Sequence, residues 1–386
     1  MSNFDTTIDR RGTGALKWDK YKGSDVIPMW VADMEFETSP RIIEFMKQRM
    51  DHAILGYTKA TDSLNEAVQS YLQNRHGWSI EPDWLVWVPG VVPALAVACD
   101  TAGEPDDEII VLTPVYHPLL LLPPKKHRKR VDVPLHYQHD AGQTGNGRWV
   151  IDFDAFEKAI TPKSRILLLC SPHNPVGMMF SRDELRRLVE ICHAHNIVII
   201  SDEIHCDLVL HPTRQHIPTS VAANDLQQQI VTLMSPSKTF NLAGANASFA
   251  VIPDPERRKQ FADACLYTVP IVPTLSYSAA EGAYRHGWEW HRELINYLRG
   301  NLAEIRNMVD ATPGLWMDDC EATYLAWINT SELPVEDAFD YLEKAGVGLS
   351  PGAQFGDPGY QRLNFACSRS QLQQGLARIR EAVEKL

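Results

Sequence analysis

From about Ser39 to Val251 the chain alternates helical periodicity with short, almost uninterrupted apolar runs, and no other feature narrows its possible folds so sharply. Strands buried on both faces need apolar residues at every position, whereas strands with one wet face alternate. Runs of this kind separated by helices therefore predict an α/β fold, a mainly parallel sheet covered by helices on both sides. The strand candidates are Ile109 to Leu112, Ile166 to Cys170, Ile197 to Ser201 and Ile230 to Met234. Helix starts are legible as well. Ser39-Pro40 places a capping residue before a proline at the first helical position, and Ser181-Arg182-Asp183-Glu184 reads as a capping box opening a helix that runs to about His195.

Beyond Trp288 the pattern changes to a long helix through Val309, a strand from Tyr324 to Asn329 and a terminal helix from about Ser370 to Leu386. This reads as a second, smaller α+β domain spanning 288–386, packed on a large domain of 41–287, with a ligand cleft expected between them. The net charge of -12 argues against nucleic acid as the main partner. The basic run Lys125-Lys126-His127-Arg128-Lys129-Arg130 reads as a solvated edge and receives no function. Seven scattered cysteines contain no Cys-x-x-Cys pair, so neither a metal site nor a disulfide framework is expected. With no stretch resembling a signal peptide and no apolar run of bilayer length, a cytoplasmic protein without membrane association is expected.

The chemistry-bearing residues cluster where the strands end, which is where open α/β sheets place their ligands. Ile166 to Cys170 runs into Ser171-Pro172-His173-Asn174-Pro175-Val176-Gly177, Ile197 to Ser201 into Asp202-Glu203-Ile204-His205, and Ile230 to Met234 into Ser235-Pro236-Ser237-Lys238-Thr239. Singly, each has a plain structural explanation as a turn, a helix cap or a surface lysine. Together, an amide, a carboxylate and a lysine at one sheet edge supply what a pyridoxal 5′-phosphate (PLP) site needs.

Asn174-Pro175-x-Gly177, Asp202-x-x-His205 and Ser235-x-Ser237-Lys238, in this order, resemble the class I/II aminotransferase-like, fold-type I PLP enzymes. Pro28-Met29-Trp30-Val31-Ala32-Asp33-Met34, Gly56-Tyr57-Thr58, Gly90-Val91-Val92-Pro93, Thr113-Pro114-Val115-Tyr116 and Asp202 to Leu208 narrow the resemblance to the cystathionine β-lyase (C–S lyase) branch typified by MalY and PatB. The resemblance implies a seven-stranded, mainly parallel sheet, an N-terminal segment 1–40 packing with the small domain, and a homodimer with shared active sites. It implies that Lys238 holds PLP as a Schiff base and then acts as base at Cα, and that Asp202 pairs with the pyridinium nitrogen. Asn174 is expected on the ring hydroxyl with His205 near it, and Tyr116 stacked on the ring. Val91 and Val92 backbone N–H groups, Ser235 and Ser237 hydroxyls and the partner's Tyr57 are expected on the phosphate, and Arg362 on the carboxylate of the amino acid substrate. Many relatives carry a phosphate-binding arginine where this chain has Asn246. The activity implied is β-elimination from an S-substituted cysteine; the alternatives are transamination and a regulatory protein partner contacted through the surface.

Overall fold

The computed structural model describes residues 3–139 and 147–386. Its centre is a sheet of β1 (Leu85–Val88), β2 (Glu108–Thr113), β3 (Lys129–His139), β4 (Gly147–Ile151), β5 (Ser164–Cys170), β6 (Val198–Asp202), β7 (Ile230–Met234) and β8 (Ser248–Val251), in spatial order β1-β8-β7-β6-β5-β2-β3-β4. The four central pairings, β7-β6, β6-β5, β5-β2 and β2-β3, are parallel, and the antiparallel ones lie toward the two edges. Eight strands thus stand where seven are expected. The addition is β4, antiparallel to β3, whose residues alternate between buried and half-buried because only one of its faces is covered.

The central strands show why the apolar runs are continuous. Ile109, Val111, Ile166, Leu168 and Ile200 enter one hydrophobic layer, while Ile110, Leu112, Leu167, Leu169 and Ile199 enter the opposite one. Alternate residues point to opposite faces, and helices cover both. One covering helix, Arg182–Ala194, begins at the expected capping box: Ser181 Oγ accepts from Glu184 N (3.2 Å) and Glu184 Oε2 accepts from Ser181 N (2.7 Å). The helix Pro40–Asp51 also starts where expected, but the Ser39 side chain makes no capping bond.

A smaller sheet contains Trp316–Met317, Leu325–Asn329, Tyr360–Asn364 and Ser350–Pro351, in that order. Ile27–Pro28 pairs in parallel with Val347–Gly348, so the N-terminal segment is sewn to this unit. Met29, Met34 and Phe36 share a core with Leu294, Leu363 and Leu376. Among the described residues, no helix is long and apolar enough to cross a membrane.

Most of the basic run is the solvated edge expected, with Lys125, His127, Lys129 and Arg130 exposed. Arg128 is buried, giving Nη2 to Gly103 O at 2.7 Å, while Lys129 pairs with Glu108 (2.8 Å) and Arg130 with Asp132 (2.7 Å). These side chains tie the ends of β2 and β3 to their neighbours.

Candidate active site

Register sets the site. Cys170 lies beside Asp202 and Asp202 beside Leu233 across β5, β6 and β7, so the segments after these strands leave the sheet at one edge. Asn174, His205 and Lys238 are on those segments. Gly177 lets the first of them turn: its φ is +71°, and a Cβ there would meet Cys320 Sγ at 2.9 Å. His173 Nε2 lies 2.8 Å from Pro114 O, tying this turn to the segment that carries Tyr116. Lys238 sits in the single turn Pro236–Thr239, capped by Ser235.

That cap uses the Ser235 hydroxyl on both sides. Ser235 Oγ donates to Ala247 O (2.7 Å) and accepts from Ser237 N (3.1 Å). Ser237 is half-buried and its hydroxyl has no such bond among the described residues. The helix expected near Pro93 begins two residues earlier, as Val91–Asp100. Pro93 has no N–H, which leaves Val91 and Val92 as the first-turn donors at the positive end of that helix.

Burial and neighbouring charge then tune the groups. Burial pushes the Lys238 ammonium down to about 8, against the pull of Asp33 and with reinforcement from Arg362. Burial raises the Asp202 carboxyl to about 7, although Ile204 N donates to Oδ1 at 3.2 Å. Burial lowers His205 to about 3, so its ring is neutral, and its Nδ1 has no partner among the described residues. Tyr116 is raised by burial and by the Asp202 charge, so it stays a phenol. Since only the neutral amine condenses with an aldehyde, capture of added cofactor by the apoprotein is expected to accelerate as pH rises and to level off above about 8. Stopped-flow absorbance checks this, and a rate already flat from pH 6 would contradict it.

Arg362, buried on Tyr360–Asn364, gives Nη1 to Asn174 Oδ1 (3.0 Å) and Nη2 to Trp30 O (3.0 Å), and packs 4.5 Å from the Phe355 ring centroid. Its Nε is buried without a partner among the described residues, a donor left for a ligand. Asn174, with its oxygen on Arg362, keeps its amide N–H groups for an acceptor in the site.

Sequence reasoning missed how the Trp30–Asp33 segment works. Its consecutive carbonyls form a rack for site side chains. Trp30 O accepts from Arg362 and Ser350, Val31 O from Asn364 (2.6 Å), Ala32 O from Lys238 Nζ (2.6 Å) and Tyr324 Oη (3.0 Å), and Asp33 O from Lys17 (3.1 Å). Beneath it, buried Lys17 lies 3.0 Å from Glu35, and Arg10 bridges Glu35 (2.9 Å) and Asp33 (2.8 Å). One signal was available: Arg362 and Asn364 are two apart on one strand and so share a face. Tyr324→Phe removes one donor from the carbonyl that also holds Lys238. A lost hydrogen bond of about 1 kcal/mol corresponds to a roughly five-fold drop in kcat. Unchanged kcat with an unchanged basic limb of the pH profile would remove Tyr324 from this positioning role.

Tyr57 is 99% exposed, so its own chain gives it no seat, and Asn246 is exposed with a left-handed φ of 50°. A PLP molecule fits the residues present: an amine of lowered pKa, a buried carboxyl, a buried histidine nitrogen without partner and two helix N–H groups lie on segments leaving one sheet edge.

Comparison with known proteins agrees with this geometry. The family model described as aminotransferase class I and II matches residues 24–379. The chain is 38% identical to cystathionine beta-lyase PatB of Bacillus subtilis, over 99% of this chain and 100% of that protein. It superposes on the crystal structure of OvoB with a TM-score of 0.94 at 40% identity, covering 99% of each chain. It superposes equally well, with a TM-score of 0.94 at 32% identity and coverage of 100% and 99%, on cystalysin of Treponema denticola, a structure containing pyridoxal 5′-phosphate. The chain therefore belongs to the class I and II aminotransferase family of fold-type I enzymes, in its MalY/PatB C–S lyase branch.

Proposed function

We propose that this chain is a PLP-dependent carbon–sulfur β-lyase that cleaves L-cystathionine or a related S-substituted cysteine to a thiol, pyruvate and ammonia. The observation that carries the reading is the Trp30–Asp33 rack, which holds both Lys238 and Arg362 on one branch-specific segment. The full-length likeness to a cystathionine beta-lyase supports it. PLP bound at Lys238 supplies an electron sink for the charge left when the Cα proton departs. Arg362 orients the substrate by its α-carboxylate through the unpartnered Nε and its neighbours. Lys238, released to its neutral form, takes the proton from Cα. Asp202, buried at the end of β6, would pair with the ring nitrogen and keep it protonated. The phenol of Tyr116 delivers a proton to the departing sulfur. Steady-state release of thiol and pyruvate from L-cystathionine, with no keto acid added, tests the reading; activity that appears only with a keto acid would replace it with transamination.

The role of Tyr116 has its own test. Tyr116→Phe is expected to slow thiol release by about ten-fold, a barrier change of about 1.4 kcal/mol, while Cα–H exchange in deuterated water slows less. Equal slowing of both would limit Tyr116 to packing.

We also read the protein as a homodimer. Ile54, Leu55 and Tyr57 are exposed, as are Leu266, Tyr267 and Ile271, and Thr274 draws these two segments together by donating to Gly56 O at 3.1 Å. An apolar surface of this extent wants a cover. Tyr57 would then reach a neighbouring phosphate site in place of the arginine absent at Asn246. Mixing Tyr57→Phe with Lys238→Ala subunits, under conditions where subunits exchange, is expected to restore activity above that of Lys238→Ala alone. A fully active monomer in solution would contradict this. The same reading keeps the domains at 1–40 with 288–386 and 41–287, and the seven free cysteines, six of them buried, suit a reducing cytoplasm.

A further inference from the structure

A cavity of about 570 Å³ lies between the helix Asp62–His76, the segment that follows β6 and the helix Trp288–Asp310, and none of the PLP-site residues line it. Its size is in the range of small-molecule sites. Its wall carries four arginines and four histidines against one carboxylate, Asp207, in a chain of net charge -12.

Tracing each charge shows what is left over. Arg75 Nε binds Asp207 at 3.1 Å and stacks 4.1 Å over Trp288, and Arg214 is paired with Glu321. Arg299 gives Nε to Leu210 O (2.8 Å) and Nη2 to His211 O (3.3 Å) but has no carboxylate partner among the described residues. Arg292 is exposed and has no hydrogen bond or ion pair among them. Two whole positive charges therefore stand unmatched at one cavity, and their spacing of seven along one helix puts them on the same face.

Two imidazoles add to this. The His211 Nδ1 accepts from Arg214 N at 3.1 Å, which leaves the ring proton on Nε2. The His76 side chain is only 4% exposed, and its Nδ1 is the one buried polar side-chain atom without a partner among the residues lining the cavity. A metal ion is a poor occupant. His76, Cys206 and Asp207 do converge within 4.8 Å, but Tyr71 Oη (2.8 Å) and the Arg75 cation already hold the carboxylate.

We propose that this cavity binds a small phosphorylated metabolite, its phosphate held by Arg292 and Arg299 and its organic part lying against Trp288. Two guanidinium groups without a carboxylate partner suit a doubly charged phosphate, whose oxygens an arginine fork can bind in pairs.

The test uses the holoenzyme, in which the cofactor's own phosphate site is filled. Calorimetric titration with glycerol 3-phosphate, with inorganic phosphate in parallel, is expected to show one saturable site per chain with Kd of about 1 mM or tighter, weakening as salt rises. Arg292→Ala should weaken it about ten-fold, or about 1.4 kcal/mol, and Arg299→Gln at least as much. Because Arg299 also ties two carbonyls, Arg292→Ala decides the matter alone if the other variant does not fold. Absence of saturable binding, equal affinity in Arg292→Ala, or tighter binding of succinate than of glycerol 3-phosphate would each overturn the proposal.

Discussion

Replacing Lys238 with alanine is expected to reduce turnover by at least about 10³-fold, a loss of about 4 kcal/mol of barrier lowering. The size follows from the two duties that converge on one nitrogen: it anchors the cofactor, and it takes the proton from Cα. Among the described residues, no other lysine lies on the segments that leave this sheet edge beside Asp202 and Asn174. Lys17, a buried lysine, is held by Glu35 at 3.0 Å and by the Asp33 carbonyl at 3.1 Å, so its amine is already engaged. In the wild type, borohydride reduction of the holoenzyme followed by peptide mapping should place the phosphopyridoxyl label on Lys238. A label on any other lysine, or Lys238→Ala retaining a tenth of normal activity, would refute the assignment.

Asp202→Asn is expected to cost about 10²- to 10³-fold in kcat, or about 3–4 kcal/mol, while cofactor binding survives. Asparagine keeps the shape and accepts the Ile204 N–H, but it cannot keep a proton on the ring nitrogen, so the electron sink weakens. A second effect has a definite sign. The Asp202 charge raises the Lys238 pKa, so removing that charge should lower the apoprotein's lysine below its value of about 8 and shift the pH dependence of cofactor capture downward. Near-normal kcat would show that the ring nitrogen needs no carboxylate here.

Much of this was legible in the residues, for physical reasons. The strands β2, β5, β6 and β7 were found within two residues of their observed ends because burial on both faces leaves an unbroken apolar run. By contrast, β1 and β4 carry half-buried positions, and β8 is only four residues long, so each is too short or too mixed to announce itself. In the site, Lys238, Asp202 and Asn174 were readable because a polar residue just past a buried strand is unusual. Tyr324 was not, because it acts through a backbone carbonyl 292 positions away, and any residue type at 32 offers a carbonyl. The capping use of Ser235 was not legible for a related reason: its hydroxyl serves nearby backbone, a use that composition cannot distinguish from binding a ligand.

The family contains enzymes that use such a site for elimination and others that use it for amino transfer, so the central claim is decided by product partitioning in a single turnover. Holoenzyme in excess over ¹³C-labelled L-cystathionine, with no keto acid, should yield one labelled pyruvate and one thiol per substrate, with the cofactor returned to its starting absorbance. Stoichiometric conversion of the cofactor to pyridoxamine phosphate, with a keto acid that retains its sulfur and no pyruvate, would contradict it.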